Sequence, residues 1–486
     1  VSTTPTTPSA TTGPRRLEGH LGTGSIVFMV IAAAAPLTVV GGNVPLAVAG
    51  GNGVGAPVGF LLAAAVLLVF SVGFVTLTPH VREAGAFFSY VATGLGSRAG
   101  LGAAFTALVA YTAIQVGVYG YAGWAVNDLV LHFGGPALPW WLYSFAVLAV
   151  VAVLGYRHIE LSAKVLGVAL VLEIAVVVLL DAVVLGGGGR DGLVTSTFAV
   201  ENVVTPHIGV AVLFALTGFI GFEATAVFRD EARDPERTIP RATYLAVLVI
   251  GGFYAVSCWA LITGVGAADA VAVAGRTLAG EGNFLLDTTE EYLGTVLRDV
   301  VQVLLVTSLF ACVLSFHNVL ARYQFSLAGK GVLPRALAHR HPRHAAPSTA
   351  SVVQTVTAVV VLAVLAGLGL DPLVGVFGSM AGVATVGMVL LLLTTSVAVL
   401  AFFARHRSTS RRGRFSTVVA PVLAILGLLA SLWLVLSNFT LVTGGTVLVS
   451  TLLALVPAVV FAAGVGAGGR FRLTAADDDE RVHPPR

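Results

Sequence analysis

The sequence predicts an all-α integral membrane protein with about twelve membrane-spanning helices. Its composition, the spacing of its apolar runs and the placement of its basic residues lead to that class. Of 486 residues, 57% are hydrophobic and only 10% charged, and mean hydropathy is +0.93. A water-soluble chain of this length carries far more charge on its surface, so lipid is the solvent for most of these residues. A formal net charge of +3 is too small to suggest a nucleic-acid partner. Cys258 and Cys312 lie in apolar runs with no CxxC pair and read as small buried residues. No cofactor or metal site is expected.

Apolar runs long enough to cross a bilayer fall at residues 25–49, 57–77, 101–131, 140–154, 161–185 and 208–228, then at 241–264, 295–327, 348–368, 372–403, 417–437 and 445–465. The fourth is short and the tenth long, which suggests a tilt or a break. An even count puts both termini on one side. All but three of the 27 Lys and Arg residues fall in the tails and loops of that side, the exceptions being Arg190, Arg276 and Arg298. The positive-inside rule makes it the cytoplasmic side, and the expected location is a bacterial cytoplasmic (inner) membrane.

Residues 1–20 read as a disordered cytoplasmic tail rich in Thr, Pro and Ser, with no cleavable signal before the first span. Residues 21–403 form a core of ten spans. Residues 404–467 supply a cytoplasmic loop and the last two spans, and 468–486 a second tail. Between spans seven and eight, Asp269, Glu281, Asp287, Glu290 and Glu291 read as a solvated outside loop, or as a vestibule that attracts cations.

Two spans do not read as clean helices. In the first, Ala34-Ala35-Pro36-Leu37-Thr38 precedes Gly41-Gly42-Asn43. Pro36 removes a backbone donor and clashes with the preceding turn, and the glycines weaken the helix again. In the sixth, Thr217-Gly218-Phe219-Ile220-Gly221 falls at mid-depth. Interruptions at positions one and six fit an inverted repeat of spans one to five against six to ten, which points to a binding site for a carried substrate. Half-helix N-termini offer amides to a carboxylate, and half-helix carbonyls suit an ammonium or a small cation. Close packing and kinking are the alternative explanation for these Gly and Pro residues.

Three motifs then resemble the amino acid–polyamine–organocation (APC) permeases. The first runs from Phe219-Ile220-Gly221-Phe222-Glu223 to Asp230-Glu231-Ala232-Arg233-Asp234-Pro235-Glu236-Arg237-Thr238-Ile239-Pro240-Arg241-Ala242. It is similar to the family's FxGFE followed by EARNPxRxIPRA. The second, Ala321-Arg322-Tyr323 through Ala328-Gly329-Lys330-Gly331-Val332-Leu333-Pro334-Arg335-Ala336-Leu337, resembles the loop after span eight. The third and weakest is Arg82-Glu83-Ala84-Gly85-Ala86-Phe87-Phe88-Ser89-Tyr90. The resemblance implies a leucine-transporter-like fold of five-plus-five inverted repeats with alternating access. It implies that a substrate carboxylate meets amides from Ala35 to Thr38, that an ammonium meets carbonyls near Ala34, Thr217, Gly218 and Phe219, and that Phe219 acts as a lid. The family's first-span run is Gly-Ser-Gly-like, and Ala34–Thr38 departs from it, which leaves room for a substrate without a carboxylate.

Glu173 lies near the centre of span five. A bare carboxylate there costs about 2.5–3.5 kcal/mol even on lenient insertion scales, so it is neutral, paired or in a wet cavity. By resemblance, a Lys at this place in some proton-coupled members replaces a sodium ion; Glu173 inverts that chemistry. It is the leading candidate for coupling, with Ser315 and Asn318 of the small, polar face of span eight as partners. A structural hydrogen bond to a neighbouring helix is the alternative. Glu223 reads as a structural link. His317 is at depth and ranks below Glu173. Tyr111, Gln115 and Tyr119 share one face of span three that could line the cavity. His339, His341 and His344 read as part of a solvated basic loop.

These features favour a secondary transporter for an amino acid, with H+ as the coupling ion. The closest rival is a carrier of polyamines or other organic amines. A membrane enzyme is disfavoured because no HExxH, GxSxG or P-loop occurs, and the paired interruptions speak against a channel.

Overall fold

The computed structural model describes residues 21–81, 87–157, 163–339, 347–406 and 413–468. The expected tails at 1–20 and 469–486, the Arg82–Ala86 part of the third motif, the loop residues Arg340, His341, Arg343 and His344, and Arg407, Arg411 and Arg412 lie outside the described residues.

Helices account for every regular element among the described residues, apart from one isolated bridge between Leu21 and Ala232. The principal helices are α1 (Thr23–Ala34), α2 (Ala56–Leu77), α3 (Ser97–His132), α4 (Trp140–Arg157), α5 (Ala163–Gly187), α6 (Ile208–Thr217), α7 (Pro235–Val265), α8 (Thr295–Gly329), α9 (Ser348–Gly367), α10 (Ser379–Arg405), α11 (Ala420–Ser437) and α12 (Val447–Ala467). Ten helical stretches among the described residues are long and apolar enough to cross a membrane. One of these, Thr23–His80, takes in both α1 and α2. With 10 residues, α6 rises only about 15 Å, half of a bilayer core.

Helix α3 is the central post. It packs against α4, α8, α10 and α12, while α2 packs against α7. The outer helices present apolar side chains outward, among them Val168 and Leu179 on α5, Val356 on α9 and Leu452 on α12. That inversion of the water-soluble pattern fits a lipid surround.

Two features differ from the hydropathy reading, and a third bears on the expected break in span ten. Helix α7 starts at Pro235, not 241, because Pro at the first helical position fits the geometry; the charges of Glu236, Arg237 and Arg241 hide this turn from hydropathy. The acidic stretch between spans seven and eight is not a loop but two short helices, Ala270–Ala279 and Phe284–Leu293. The second is capped by Asn283, whose side chain accepts from the Leu286 amide. The long tenth span begins with a π-helical turn, Pro372–Gly378, where Asp371 Oδ1 accepts from the amides of Leu373 and Val374.

Both expected interruptions are present, and the first is narrower than expected. Only Ala35, at φ 48 and ψ 74, leaves the right-handed helix; it is the one non-glycine residue with positive φ among those described. The ring of Pro36 disfavours helical geometry at the residue before it, and the small Ala side chain tolerates the left-handed alternative. The chain resumes helical geometry at Pro36 and passes through a π-helical turn at Val39–Asn43. Gly41 and Gly42 therefore do not unwind the helix; they admit the ring of Tyr121, which a Cβ on Gly42 would approach to 2.6 Å. In the sixth span α6 stops at Thr217, turns follow, Gly221 takes φ 109, and helix returns at Ala224–Val227.

The left-handed residue gives a direct test of the first break. A left-handed L-residue costs about 1–2 kcal/mol, which Gly does not incur. Ala35→Gly is expected to keep or raise the melting temperature of the purified protein in detergent, and Ala35→Val to lower it.

Candidate functional site

The two breaks lie side by side. Asn43 Nδ2 donates to the Phe214 carbonyl over 2.8 Å. A Cβ on Gly218 would lie 3.1 Å from Val39, and one on Gly221 would lie 3.7 Å from Ala33. Thr217, the last residue of α6, hydrogen-bonds through Oγ1 with Thr385 Oγ1 of α10 at 2.6 Å.

Backbone groups freed at these breaks are met by side chains from neighbouring helices. The Ala34 carbonyl accepts from Tyr254 Oη of α7 over 3.1 Å. The Pro36–Thr38 turn packs against α5, which sets Glu173 beside the Leu37 backbone. Ser308 Oγ of α8 donates to Glu173 Oε2 over 2.8 Å, and Thr38 Oγ1 reaches Ser308 Oγ at 3.5 Å. In the sixth span the Gly221 amide donates to Glu223 Oε2 over 2.9 Å, and Tyr111 Oη donates to Glu223 Oε1. A buried carboxylate lies at each break: Glu173 at the first, 4% exposed, and Glu223 at the second, 6% exposed.

Two cavities meet at Ala33. The smaller, about 30 Å³, is enclosed by Ala34, Thr38, Thr217, Ile220, Phe316 and Phe377, with Ile114 and Val118 from α3. It has room for a water or two, not for an amino acid. The larger, about 770 Å³, extends from Glu173 along α1, α5 and α8, past Ala32, Ser308 and Ser315 to Phe228 and Val319. Glu173 is the one ionisable side chain among the described residues that line it. This cavity leads toward the end of the bundle where Leu21 exchanges backbone hydrogen bonds with Glu231 and Arg233 of the first motif. At the opposite end the first span is sealed. Tyr121 lies on Gly41 and Gly42, Leu285 lies over Gly41, and Phe377 packs against the Tyr121 ring at 5.4 Å.

The structure redistributes several candidates. Ala34, Thr38, Thr217 and Ile220 line the small cavity, and Ala35 the large one. Pro36 and Leu37 are buried in the resumed helix. Phe219 does not cover the site: its ring packs edge-on against Tyr254 at 6.4 Å and lies against Gly251. Gly218 brings α6 against Val39 and Tyr254. Glu173 bonds to Ser308, not to Ser315 or Asn318. Ser315 lines the large cavity two turns away, and Asn318 lines neither cavity. Gln115 and Tyr119 are turned away from the cavity, into a glutamine chain: Gln354 donates to Gln115 over 2.8 Å and Gln324 to Gln354 over 2.7 Å. Their neighbours Ile114 and Val118 line the cavity instead, a rotation of about 100°. His317 is buried against Ser351 and Gly155.

Sequence alone does not single out Tyr254 or Asp181. The first is hidden because a single Tyr in an apolar span has no motif. The second was discoverable: it is a carboxylate eight residues after Glu173, masked by its nearness to the end of span five.

A family model described as "Amino acid permease" matches residues 21–464, which takes in both breaks and all three motifs. The chain belongs to this family. The permease is 24% identical over 376 residues to the branched-chain amino acid permease BcaP of Bacillus subtilis, a match covering 71% of this chain and 74% of BcaP. It is 23% identical over 205 residues to the low-affinity putrescine importer PlaP of Escherichia coli K12. That second match covers 40% of this chain and 43% of the importer, so it spans less than half of that protein. The permease is therefore a multi-pass membrane transporter of the APC superfamily.

The placement of Phe219 changes what its removal should do. Phe219→Ala opens a void between Tyr254 and Gly251, at a cost of about 3–5 kcal/mol. The expected outcome is a large fall in the melting temperature of the permease, whereas Ile220→Ala, on the cavity wall, alters substrate affinity.

Proposed function

We propose that this permease is a proton-coupled secondary transporter that carries an amino acid across the bacterial cytoplasmic membrane by alternating access. In this reading both termini are cytoplasmic, twelve spans cross the membrane, and spans one to five are inverted against six to ten. The large cavity is then the cytoplasmic vestibule, and the seal of Tyr121 and Leu285 is the closed outer side.

The observation that carries the reading is the position of Glu173, bonded to Ser308 and set beside the Leu37 backbone where the first span resumes. The freed amides after Ala35 are where a substrate carboxylate gains most, through the partial positive charge of a half-helix start. Ionised Glu173 already occupies that place. A proton on Glu173 removes its charge, weakens its hold on Ser308, and opens the amides to the substrate. The substrate ammonium takes the Ala34 carbonyl from Tyr254. Proton and amino acid then bind together, and both leave together when the vestibule opens to water. The family description and the resemblance to a branched-chain amino acid permease support this substrate class, and the apolar cavity walls suit an aliphatic side chain.

A second reading is favoured by Glu173 being the one ionisable group among the described residues on the large cavity: an amine without a carboxylate, such as a polyamine, would pair with it directly. The likeness to a putrescine importer is in keeping with this.

One substitution separates the two. Glu173→Gln mimics the protonated side chain. In proteoliposomes given the twenty amino acids and putrescine, proton symport of an amino acid predicts exchange that persists and no longer varies with pH, while accumulation driven by a pH gradient falls at least tenfold. Loss of binding altogether, with putrescine as the solute carried by the unmodified protein, selects the amine reading. Gradient-driven accumulation equal to that of the unmodified protein removes Glu173 from coupling. Ser308→Ala, which takes one donor from the Glu173 carboxylate, is expected to shift the pH at which uptake is half-maximal, read from uptake rates across external pH.

A further inference from the structure

Helix α5 carries a second carboxylate at depth. Its buried side chains include Glu173, Val176, Val177, Leu180, Asp181 and Val184, while Val178, Leu179 and Val183 face outward. Glu173 and Asp181 therefore share one buried face, separated by about 12 Å of helix rise. Asp181 is 7% exposed. Its Oδ2 accepts from Ser257 Oγ of α7 over 2.7 Å, and its Oδ1 accepts from no described residue. An ionised carboxylate with an unmet oxygen is costly to hold in a low-dielectric interior. A proton on Oδ1 removes both the charge and the unmet need.

Its position along the α5–α7 seam gives that proton a place to come from. Toward the Leu285 end lies Thr263, whose buried Oγ1 is also unpaired and whose carbonyl accepts from the Arg190 amide over 3.2 Å. Arg190 then meets Asp269 and Glu291 at the surface. In the other direction Tyr254, three residues before Ser257, reaches Ala34 at the first break, beside Glu173. Other ionisable groups border this seam. Cys258 adjoins Asp181 on α7 and Cys312 lies near Glu173 on α8. On the helix Phe284–Leu293, Asp287 accepts from the Asn283 amide, Glu290 pairs with Arg298, Glu291 with Arg190, and Tyr292 donates to the Gly264 carbonyl. No described basic side chain neutralises Asp181.

We propose that Asp181 is the outer proton-exchange site of this permease, loaded from the external side along the α5–α7 seam by a route separate from that of the substrate, with Glu173 as the inner site. A proton leaves external water, binds Asp181 Oδ1, and passes along the Ser257–Tyr254 edge to Glu173, which returns Asp181 to the ionised form. This rests on the proton-coupled reading above.

The test uses the whole permease in proteoliposomes, with trapped pyranine to report proton entry and a mixture of the twenty amino acids and putrescine as the carried probe. Asp181→Asn is expected to lower proton entry and gradient-driven accumulation at least tenfold and to flatten the dependence on external pH. The dependence on internal pH persists, and Asp181→Glu restores the external response. Ser257→Ala keeps the carboxylate and is expected to move the midpoint of the external pH profile, which serves if Asp181→Asn does not fold. An external pH profile for Asp181→Asn that matches the unmodified protein overturns the role of Asp181 alone. No proton entry in the unmodified permease, with substrate uptake intact, overturns the coupled reading and this inference with it.

Discussion

A peptide group freed inside a bilayer has no water to turn to, and this constraint organises the centre of the molecule. Breaking α1 at Ala35 and α6 after Thr217 releases amides and carbonyls at depth. The protein answers with side chains: Tyr254 of α7 for the Ala34 carbonyl, Asn43 of the first span for the Phe214 carbonyl, and Glu223, two residues along the same span, for the Gly221 amide. A substrate binding at these breaks must therefore displace a partner already present. Coupling needs little more than a reason for one of those partners to let go.

The two carboxylates at the breaks differ in what surrounds them. Glu223 is fixed on both oxygens, by Tyr111 and by the Gly221 amide two residues before it, and it lines neither cavity. Glu173 accepts from Ser308 and, unlike Glu223, faces the large cavity. Equal chemistry in unequal surroundings is what lets the proposed mechanism assign exchange to Glu173 and not to Glu223. The same contrast holds between the ends of the bundle. At the Leu285 end, glycines let aromatic rings settle directly on the first span, whereas at the Leu21 end a single backbone bridge holds the start of α1 to the first motif.

Much of this was legible in the sequence. Hydropathy located the long apolar segments, and the Pro and Gly positions located both breaks, because proline geometry and glycine freedom are local properties. Glu173 was legible because a charge in an apolar run stands out. What could not be read was direction. Gln115 and Tyr119 on α3 point into a glutamine chain while Ile114 and Val118 face the cavity, and sequence spacing fixes which residues share a face but not which face turns inward. Phe219 failed as a lid for the same reason. The helices at Ala270–Ala279 and Phe284–Leu293 escaped because they sit at the surface, where their acidic residues dilute the apolar side that covers the first span.

The spacing of Glu173 and Asp181 follows a logic that a single site does not have. A lone carboxylate at the break must exchange its proton through whichever route is open to the substrate, so a closed outer seal isolates it from the external side. In the proposed mechanism a second carboxylate two turns further out, on a different interface and with one oxygen unmet by the described residues, separates the path of the proton from the path of the solute. Ser257 and Tyr254 lie along the interval on α7, the helix that also grips the Ala34 carbonyl. Movement of α7 would then alter the proton interval and the substrate site in one step, because the hydroxyl that leaves Ala34 is the one that borders the seam.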